Sequence, residues 1–352
     1  MAIKKVVIIG GGFAGINLAK HLADKNAFNV ILADKNNYNF FPPLLYQVAT
    51  GFLEASNISY PFRKMFQGKK NIRFRMGELL KVVPQENKVV LSSGDLEYDY
   101  LVLATGTKSN YFGLENVKAN AIPMKTVNDA LEMRNYLLQQ LENATITPDK
   151  AEREKLLTIV IAGGGPTGVE VSGMLAEMRK FIIRKDYPEF RGEKDRSHIY
   201  LIDGGDQLLS PMSLKSQKDT FNALSKLGVE IKLNIEVKDY VNDTVVLSNG
   251  EHIQTKTLIW AAGVSAKPIT GIPDASYGRG KRLLTDAFNK VQNTSNIYAV
   301  GDTCLQTNDP DFPQGHPQVA QVALQQGKNL AINFKKMAAQ QPLRPFRYRD
   351  KG

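Results

Sequence analysis

Val6-Val7-Ile8-Ile9-Gly10-Gly11-Gly12-Phe13-Ala14-Gly15 returns later in the chain as Ile159-Val160-Ile161-Ala162-Gly163-Gly164-Gly165-Pro166-Thr167-Gly168. Each stretch runs an apolar strand into G-x-G-x-x-G and then into a helical pattern. Such a turn lets backbone N–H groups and a helix N-terminus approach a pyrophosphate. One copy is weak evidence for a nucleotide site. Two copies point to two dinucleotides in one protein, and the natural use of two is to pass electrons between them.

The likeness of the halves extends beyond the glycines. Ser93-Gly94-Asp95-Leu96-Glu97 leads to Tyr100-Leu101-Val102-Leu103-Ala104-Thr105-Gly106, and Asn249-Gly250-Glu251-His252 leads to Leu258-Ile259-Trp260-Ala261-Ala262-Gly263. Gly10 recurs as Gly163 and Gly106 as Gly263, a near-constant offset that marks a duplicated unit. Each unit is expected to open on a buried parallel strand, to include a small antiparallel piece, and to end in a strand with a glycine stop. In each, an acid closes the second strand where it would bind the ribose hydroxyls of an adenosine: Asp34 in the first, Asp203 in the second. The second unit reaches its acid later because of a charged stretch, 178–196, expected to be a solvated face. Asp203 would repel a 2′-phosphate, and Gly204-Gly205 follow it instead of arginine, so NADH is favoured over NADPH.

A third strand pattern, Ser295 to Asp302, ends in Gly301-Asp302, a pair suited to the ribityl or phosphate region of a flavin. Because it follows the second unit, the first domain is expected to be discontinuous. The expected class is α/β, with two Rossmann-like dinucleotide-binding domains, one for FAD and one for NAD, the second inserted into the first. The expected boundaries are 1–113 with 283–352 for the FAD domain and 114–282 for the NAD(H) domain. The helical pattern Val127 to Asn143 joins them, and Pro148 with the charged residues after it reads as a loop.

Composition narrows the chemistry. The 352 residues are 43% hydrophobic and suffice for two sizeable cores. A single cysteine, Cys304, excludes an internal disulfide and a thiol-rich metal site, and none of the four histidines is spaced as a metal ligand. No metal is therefore expected. Cys304 has no redox partner and reads as a small buried residue. No apolar run is long enough to span a bilayer. Lys4-Lys5 pass directly into a strand without a cleavage site, so a cytoplasmic location is expected. The net charge of +10 suits an anionic leaflet or serves solubility alone. No basic run interleaved with aromatics points to nucleic acid.

Stacking a reduced nicotinamide on an isoalloxazine needs geometry and exclusion of water, not a catalytic acid or base. The segment from Asn37 to Gly51 carries no cysteine, so thiol relay chemistry is out. It is apolar and aromatic, suited to lining a pocket for a flat molecule or to packing under the flavin. In the helical pattern His316 to Gly327, Gln321 and Gln325 stand at i, i+4 and share a face. These amides suit a quinone carbonyl or the flavin's pyrimidine edge.

Taken together, Pro43-Leu44-Leu45-Tyr46-Gln47-Val48-Ala49, the two glycine motifs, Gly301-Asp302 and Ala320-Gln321-Val322-Ala323-Leu324-Gln325 resemble the type II NADH dehydrogenases over essentially the whole chain. These are single-subunit, non-pumping NADH:quinone oxidoreductases carrying FAD. The resemblance implies that Gly10, Gly12, Gly15, Asp34, Lys35, Thr105, Gly106, Gly301 and Asp302 hold FAD. It implies that Gly163, Gly165, Gly168, Glu170, Asp203 and Gly263 lie along NADH. Tyr46, Gln47, Gln321 and Gln325 would border the quinone, menaquinone or ubiquinone. Glu170, expected in the first turn of its helix, either complements the helix dipole or contacts the nicotinamide end on a proton route to the quinone. In that family the chain continues past a motif like Pro345 to Gly352 into membrane-docking helices. Here it stops, so weakened contact with the inner face of the plasma membrane is expected. A homodimer is a further partner kept in view. Two other readings stay open: a reductase of a ferredoxin- or rubredoxin-type protein, and a flavin-bound redox-sensing interaction protein.

Overall fold

The computed structural model describes residues 3–190 and 197–351. The chain divides into two compact units. The first comprises Met1–Phe40, Ser59–Lys108 and Val264–Gly352, and the second Phe41–Ile58 and Ser109–Gly263. These limits differ from 113 and 283: residues 264–282 lie with the first unit, and 41–58 and 109–113 with the second. Neither of the two longer segments carries a glycine signature that would assign it from sequence.

In the first unit, Lys4–Ile9 is the middle of a five-stranded parallel sheet. Phe28–Asp34 and then Ile72–Met76 follow on one side, Tyr100–Leu103 and then Ile297–Ala299 on the other. Val6–Ile9 and Tyr100–Leu103 at its centre are continuously apolar because both faces are covered, whereas the edge strand Ile72–Met76 alternates with Arg73 and Arg75. Val6 and Ile8 face a core with Leu18, Leu22, Leu330 and Phe334 from helices Phe13–Leu22 and Ala320–Ala338. Val7 and Ile9 face the opposite core with Val82, Val89 and Leu91 of the antiparallel sheet Leu79–Val83, Lys88–Leu91, Gly94–Glu97. Phe334 is fully buried, with its ring centroid 5.0 Å from that of Tyr100. Truncating so large a core ring typically costs about 3–5 kcal/mol.

The second unit repeats the plan. Its parallel sheet runs Ile122–Pro123, Thr257–Trp260, Ile159–Ala162, Ile199–Ile202, Glu230–Lys232. Val237–Val241, Thr244–Leu247 and His252–Gln254 form its antiparallel piece. The helix Val127–Ile146 starts at a capping box in which Thr126 and Asp129 exchange side-chain and backbone bonds. The expected loop after Pro148 is instead the helix Lys150–Leu157. Asp149 caps it by accepting the Glu152 N–H at 2.8 Å, and the charged residues that follow are good helix formers. The short helix Leu45–Ala49 packs on helices Val127–Ile146 and Pro166–Met178, which ties 41–58 to this unit. Among the described residues no helix is long and apolar enough to cross a membrane.

Candidate functional site: two glycine cradles

The two glycine turns are built alike. Gly10 and Gly163 have φ of +107° and +113°, a region open to glycine. A Cβ on Gly15 would stand 1.9 Å from the Gly10 carbonyl oxygen, and one on Gly168 1.8 Å from that of Gly163. These third glycines let the helix close onto its strand. The middle glycines differ: a Cβ on Gly12 or on Gly165 would meet nothing within 4 Å. Both have ordinary φ, −79° and −75°, at the N-cap of their helices. Neither the backbone nor its neighbours call for glycine there. The open space is what a diphosphate needs to approach the helix N-terminus.

The two acids are held identically. Asp34 accepts the Gly11 N–H at 2.6 Å and the Asn36 N–H at 2.8 Å. Asp203 accepts the Gly164 N–H at 2.6 Å and the Gly205 N–H at 2.7 Å. Each carboxylate is thus fixed beside the turn with lone pairs to spare for ribose hydroxyls. Burial pushes the Asp34 carboxyl above its ordinary value, against the two backbone donors and the exposed Lys35, which pull it down.

The remaining residues matched to FAD all lie in the first unit. Thr105 and Gly106 follow the strand Tyr100–Leu103, and Thr105 faces Thr303 at 3.5 Å between hydroxyl oxygens. Gly301 has a φ of +73° and donates its N–H to Gln326 Oε1 at 2.7 Å, which fixes the turn that carries Asp302. The residues matched to NADH all lie in the second unit. Gly263 accepts the Asn110 N–H at 3.0 Å, and a Cβ on it would press on the Phe112 ring at 2.7 Å.

Glu170 is not in the first turn. The helix begins at Pro166, no acid stands in its first turn, and Gly165 makes no side-chain cap. The dipole effect fades beyond one turn, so capping does not explain this residue. It is half-buried, and burial alone raises its pKa. A carboxyl whose pKa is higher folded than unfolded holds its proton better in the native state. The stability this brings is complete below the unfolded value and is lost as pH rises through the folded one. Glu170→Gln is therefore expected to unfold at higher temperature than the parent at about pH 8, the two converging below the ordinary 4.5. Thermal melts across this range check it; an offset of equal size at every pH contradicts it.

The four residues matched to the quinone divide between the units. Tyr46 and Gln47 lie in the second, where the Gln47 amide donates to the Tyr46 hydroxyl at 3.1 Å. Gln321 and Gln325 lie in the first, on a helix that starts at Ala320 instead of His316, after Pro317. Their amides engage the backbone of residues 349 and 351. Gln325 donates to the Arg349 carbonyl at 2.8 Å and accepts its N–H at 3.2 Å, and Gln321 accepts the Lys351 N–H at 3.3 Å. That segment is anchored by the buried Asp309, which accepts from Tyr348 N–H at 3.0 Å and pairs with His316 Nε2 at 2.9 Å. Sequence reasoning missed this anchor. It also missed Gln326, one position round the helix from Gln325, and Asn39, whose amide donates to the Gly11 carbonyl at 3.0 Å.

Cys304 is fully buried, as expected for a small core residue. Burial raises its thiol pKa despite contacts to Thr285, Asn289 and Gln326. In the native protein it is expected to resist a maleimide reagent and to react fully once the chain is unfolded, as read by mass spectrometry. Rapid native labelling contradicts this. Of the charged stretch, residues 191–196 lie outside the described residues, and the part before them is not simply a solvated face: Met178 and Ile183 line a cavity.

Comparison with known proteins agrees with this construction. The pyridine nucleotide-disulphide oxidoreductase family matches residues 4–327. The type II NADH:quinone oxidoreductase NdhA of Mycobacterium tuberculosis is 34% identical over 99% of this chain and 76% of its own length. The type II NADH:quinone oxidoreductase of Haemophilus influenzae is 30% identical over 99% of this chain and 84% of its own. Among solved structures, NDH2 from Plasmodium falciparum in complex with NADH superposes with a TM-score of 0.86 at 22% identity, covering 95% of this chain and 83% of that one. A ferredoxin reductase from Rhodopseudomonas palustris superposes at 0.74 with 17% identity, over 97% of this chain and 77% of that one, a likeness of fold alone. Similarity to these relatives over 99% of the chain, with both cradles intact, places it: it belongs to the pyridine nucleotide-disulphide oxidoreductases and, within them, to the type II NADH:quinone oxidoreductases.

Proposed function

We propose that this chain oxidises NADH and passes the electrons through bound FAD to a quinone, without pumping protons. The observation that carries the reading is the repeated cradle: an open middle glycine and a backbone-pinned aspartate in each unit. When bound, FAD supplies acceptance of a hydride from NADH and delivery of two electrons to the quinone. The chain's own work is positioning. The Phe13–Leu22 and Pro166–Met178 helix N-termini take the diphosphates, and Asp34 and Asp203 take the adenosine riboses. Lys35, Thr105, Gly106, Gly301 and Asp302 complete the flavin's surroundings, and Gly263 borders the nicotinamide half. Glu170, whose carboxyl oxygens hold a proton above the ordinary glutamate range, is assigned to proton supply near the nicotinamide end. Tyr46, Gln47, Gln321 and Gln325 are assigned to the quinone. Asp203 favours NADH by repelling a 2′-phosphate. A peripheral position on the inner face of the plasma membrane is part of the proposal, since a net charge of +10 suits an anionic leaflet.

Steady-state turnover with a water-soluble menaquinone or ubiquinone analogue, compared with an added rubredoxin or ferredoxin, tests the acceptor. The quinone is expected to sustain NADH oxidation and the iron–sulfur protein not to. The reverse order would shift the assignment to a protein reductase. Slow turnover with every acceptor, together with an NADH-dependent change of association state, would shift it to a redox sensor.

A further inference from the structure

The second unit contains a cavity of about 770 Å³, within the roughly 300–1,000 Å³ usual for small-molecule sites. It lies at the opposite strand ends from the glycine turn. Ile159 and Ile199, the first residues of their strands, line it, whereas Gly163 and Asp203 follow the last residues of those strands. The dinucleotide helix spans the distance: Pro166 begins beside the cradle, and Leu175 and Met178, near its other end, face the cavity. Beyond Met178 the helix loosens into a π-turn, Arg179–Ile183, a local geometry that recurs at functional positions.

The lining has two characters. Leu137, Leu141, Leu156, Ile159, Met178 and Ile199 make an apolar interior. Gln140 interrupts it: this side chain is only 8% exposed, lines the cavity, and makes no hydrogen bond to any described residue. Its amide opens onto the cavity, so a ligand atom that accepts or donates there would be favoured. Among the described residues of the lining, the charged ones are all cations: Arg179, Lys180 and Lys226. Arg179 is locked by donating to the carbonyls of Ser197, Leu227 and Gly228 at 2.7, 3.1 and 3.0 Å. Lys180 and Lys226 are exposed at the rim. Basic residues near a helix C-terminus complement its dipole, which accounts for part of the charge. It does not account for the apolar volume beside the cations.

We propose that this cavity binds a single-chain anionic amphiphile, a free long-chain carboxylate, with its chain among the leucines and isoleucines and its head at the lysine rim. Among its described residues the lining offers no glycine turn for a diphosphate and no carboxylates for a metal, and its lysine rim disfavours a cationic head. The proposal is independent of the quinone reaction, because the site lies apart from the cradle that the reaction uses.

Isothermal titration of the full chain with laurate, kept below its micellar concentration, tests it. The expected result is one saturable site per chain, with dodecylammonium binding at least tenfold more weakly. Leu141→Trp, which fills the cavity, is expected to abolish laurate binding while the NADH titration of the same protein is unchanged. Combined Lys180→Glu and Lys226→Glu, at exposed positions that do not threaten the fold, is expected to weaken laurate at least tenfold and to narrow or invert the preference over dodecylammonium. Absence of saturable laurate binding, equal affinity for both head-group charges, or laurate binding unaffected by the lysine replacements would overturn the proposal. So would laurate binding that phosphatidylglycerol vesicles displace at equal acyl concentration, since the occupant would then be a membrane lipid.

Discussion

Gly165→Ala is expected to yield a folded, yellow protein whose kcat/KM for NADH has fallen by about two to three orders of magnitude. The fold tolerates the change because φ at this residue is −75° and the new methyl group meets nothing within 4 Å. The loss arises because the methyl group occupies the space through which the diphosphate reaches the helix N-terminus. Two charge-assisted hydrogen bonds from backbone N–H groups, each contributing about 1.5–3 kcal/mol, are then lost or lengthened. Flavin content is expected to stay the same, because the residues assigned to FAD lie in the other unit. The contrasting variant is Gly168→Ala. Its methyl group would stand 1.8 Å from a backbone oxygen that cannot move without parting helix from strand. Overpacking costs typically about 1–3 kcal/mol and more where backbone must shift, so this protein is expected to melt several degrees lower. Circular dichroism, flavin absorbance and steady-state kinetics on the pair separate the two roles. A Gly165→Ala enzyme with normal NADH kinetics would contradict the assignment of that turn.

Asp34→Asn is expected to purify colourless and to bind added FAD at least a hundredfold more weakly. The carboxylate accepts two backbone N–H groups at 2.6 and 2.8 Å and keeps lone pairs for the ribose. An asparagine has one acceptor oxygen. Its NH2 group must face either the Gly11 or the Asn36 N–H, leaving a donor without a partner, or turn toward the ribose with the wrong polarity. An orphaned buried donor costs about 1–3 kcal/mol, and losing a hydrogen bond to a charged acceptor a similar amount. Together these amount to about 2–6 kcal/mol, centred near three decades of affinity at about 1.4 kcal/mol each. Equilibrium dialysis with FAD measures the loss, and a thermal melt of the flavin-free protein shows whether the fold survives. Retention of stoichiometric FAD would contradict the role given to Asp34.

The parallel sheets were legible because both faces of their central strands are covered, so Val6 to Ile9 and Ile159 to Ala162 read as unbroken apolar runs before glycine. The glycine turns were legible for a related reason: their own course is local, set by residues within about one helical turn of each other, and the aspartates that pin them close the neighbouring parallel strands. Contacts between distant segments were not legible. The pairing of Gln321 and Gln325 with the backbone of 349 and 351 depends on the buried Asp309–His316 pair, which no spacing rule announces. Gln326 outranks its neighbour in supporting Gly301 because it faces inward, a difference of one step round the helix that i, i+4 counting did not resolve. Glu170 was displaced by a turn because Pro166, not a later residue, opens the helix. The segment 41–58 joined the second unit through the packing of Leu45–Ala49, where sequence order alone placed it in the first.

The central claim is that the two cradles serve one electron path, from a nicotinamide to a flavin and on to a quinone. Anaerobic titration of the purified yellow chain with NADH, followed by a menaquinone analogue, tests it most directly. One equivalent of NADH is expected to bleach the visible flavin band and the quinone to restore it. A chain that carries no flavin and cannot be reconstituted with it, or a bound flavin that NADH leaves oxidised, would contradict the account.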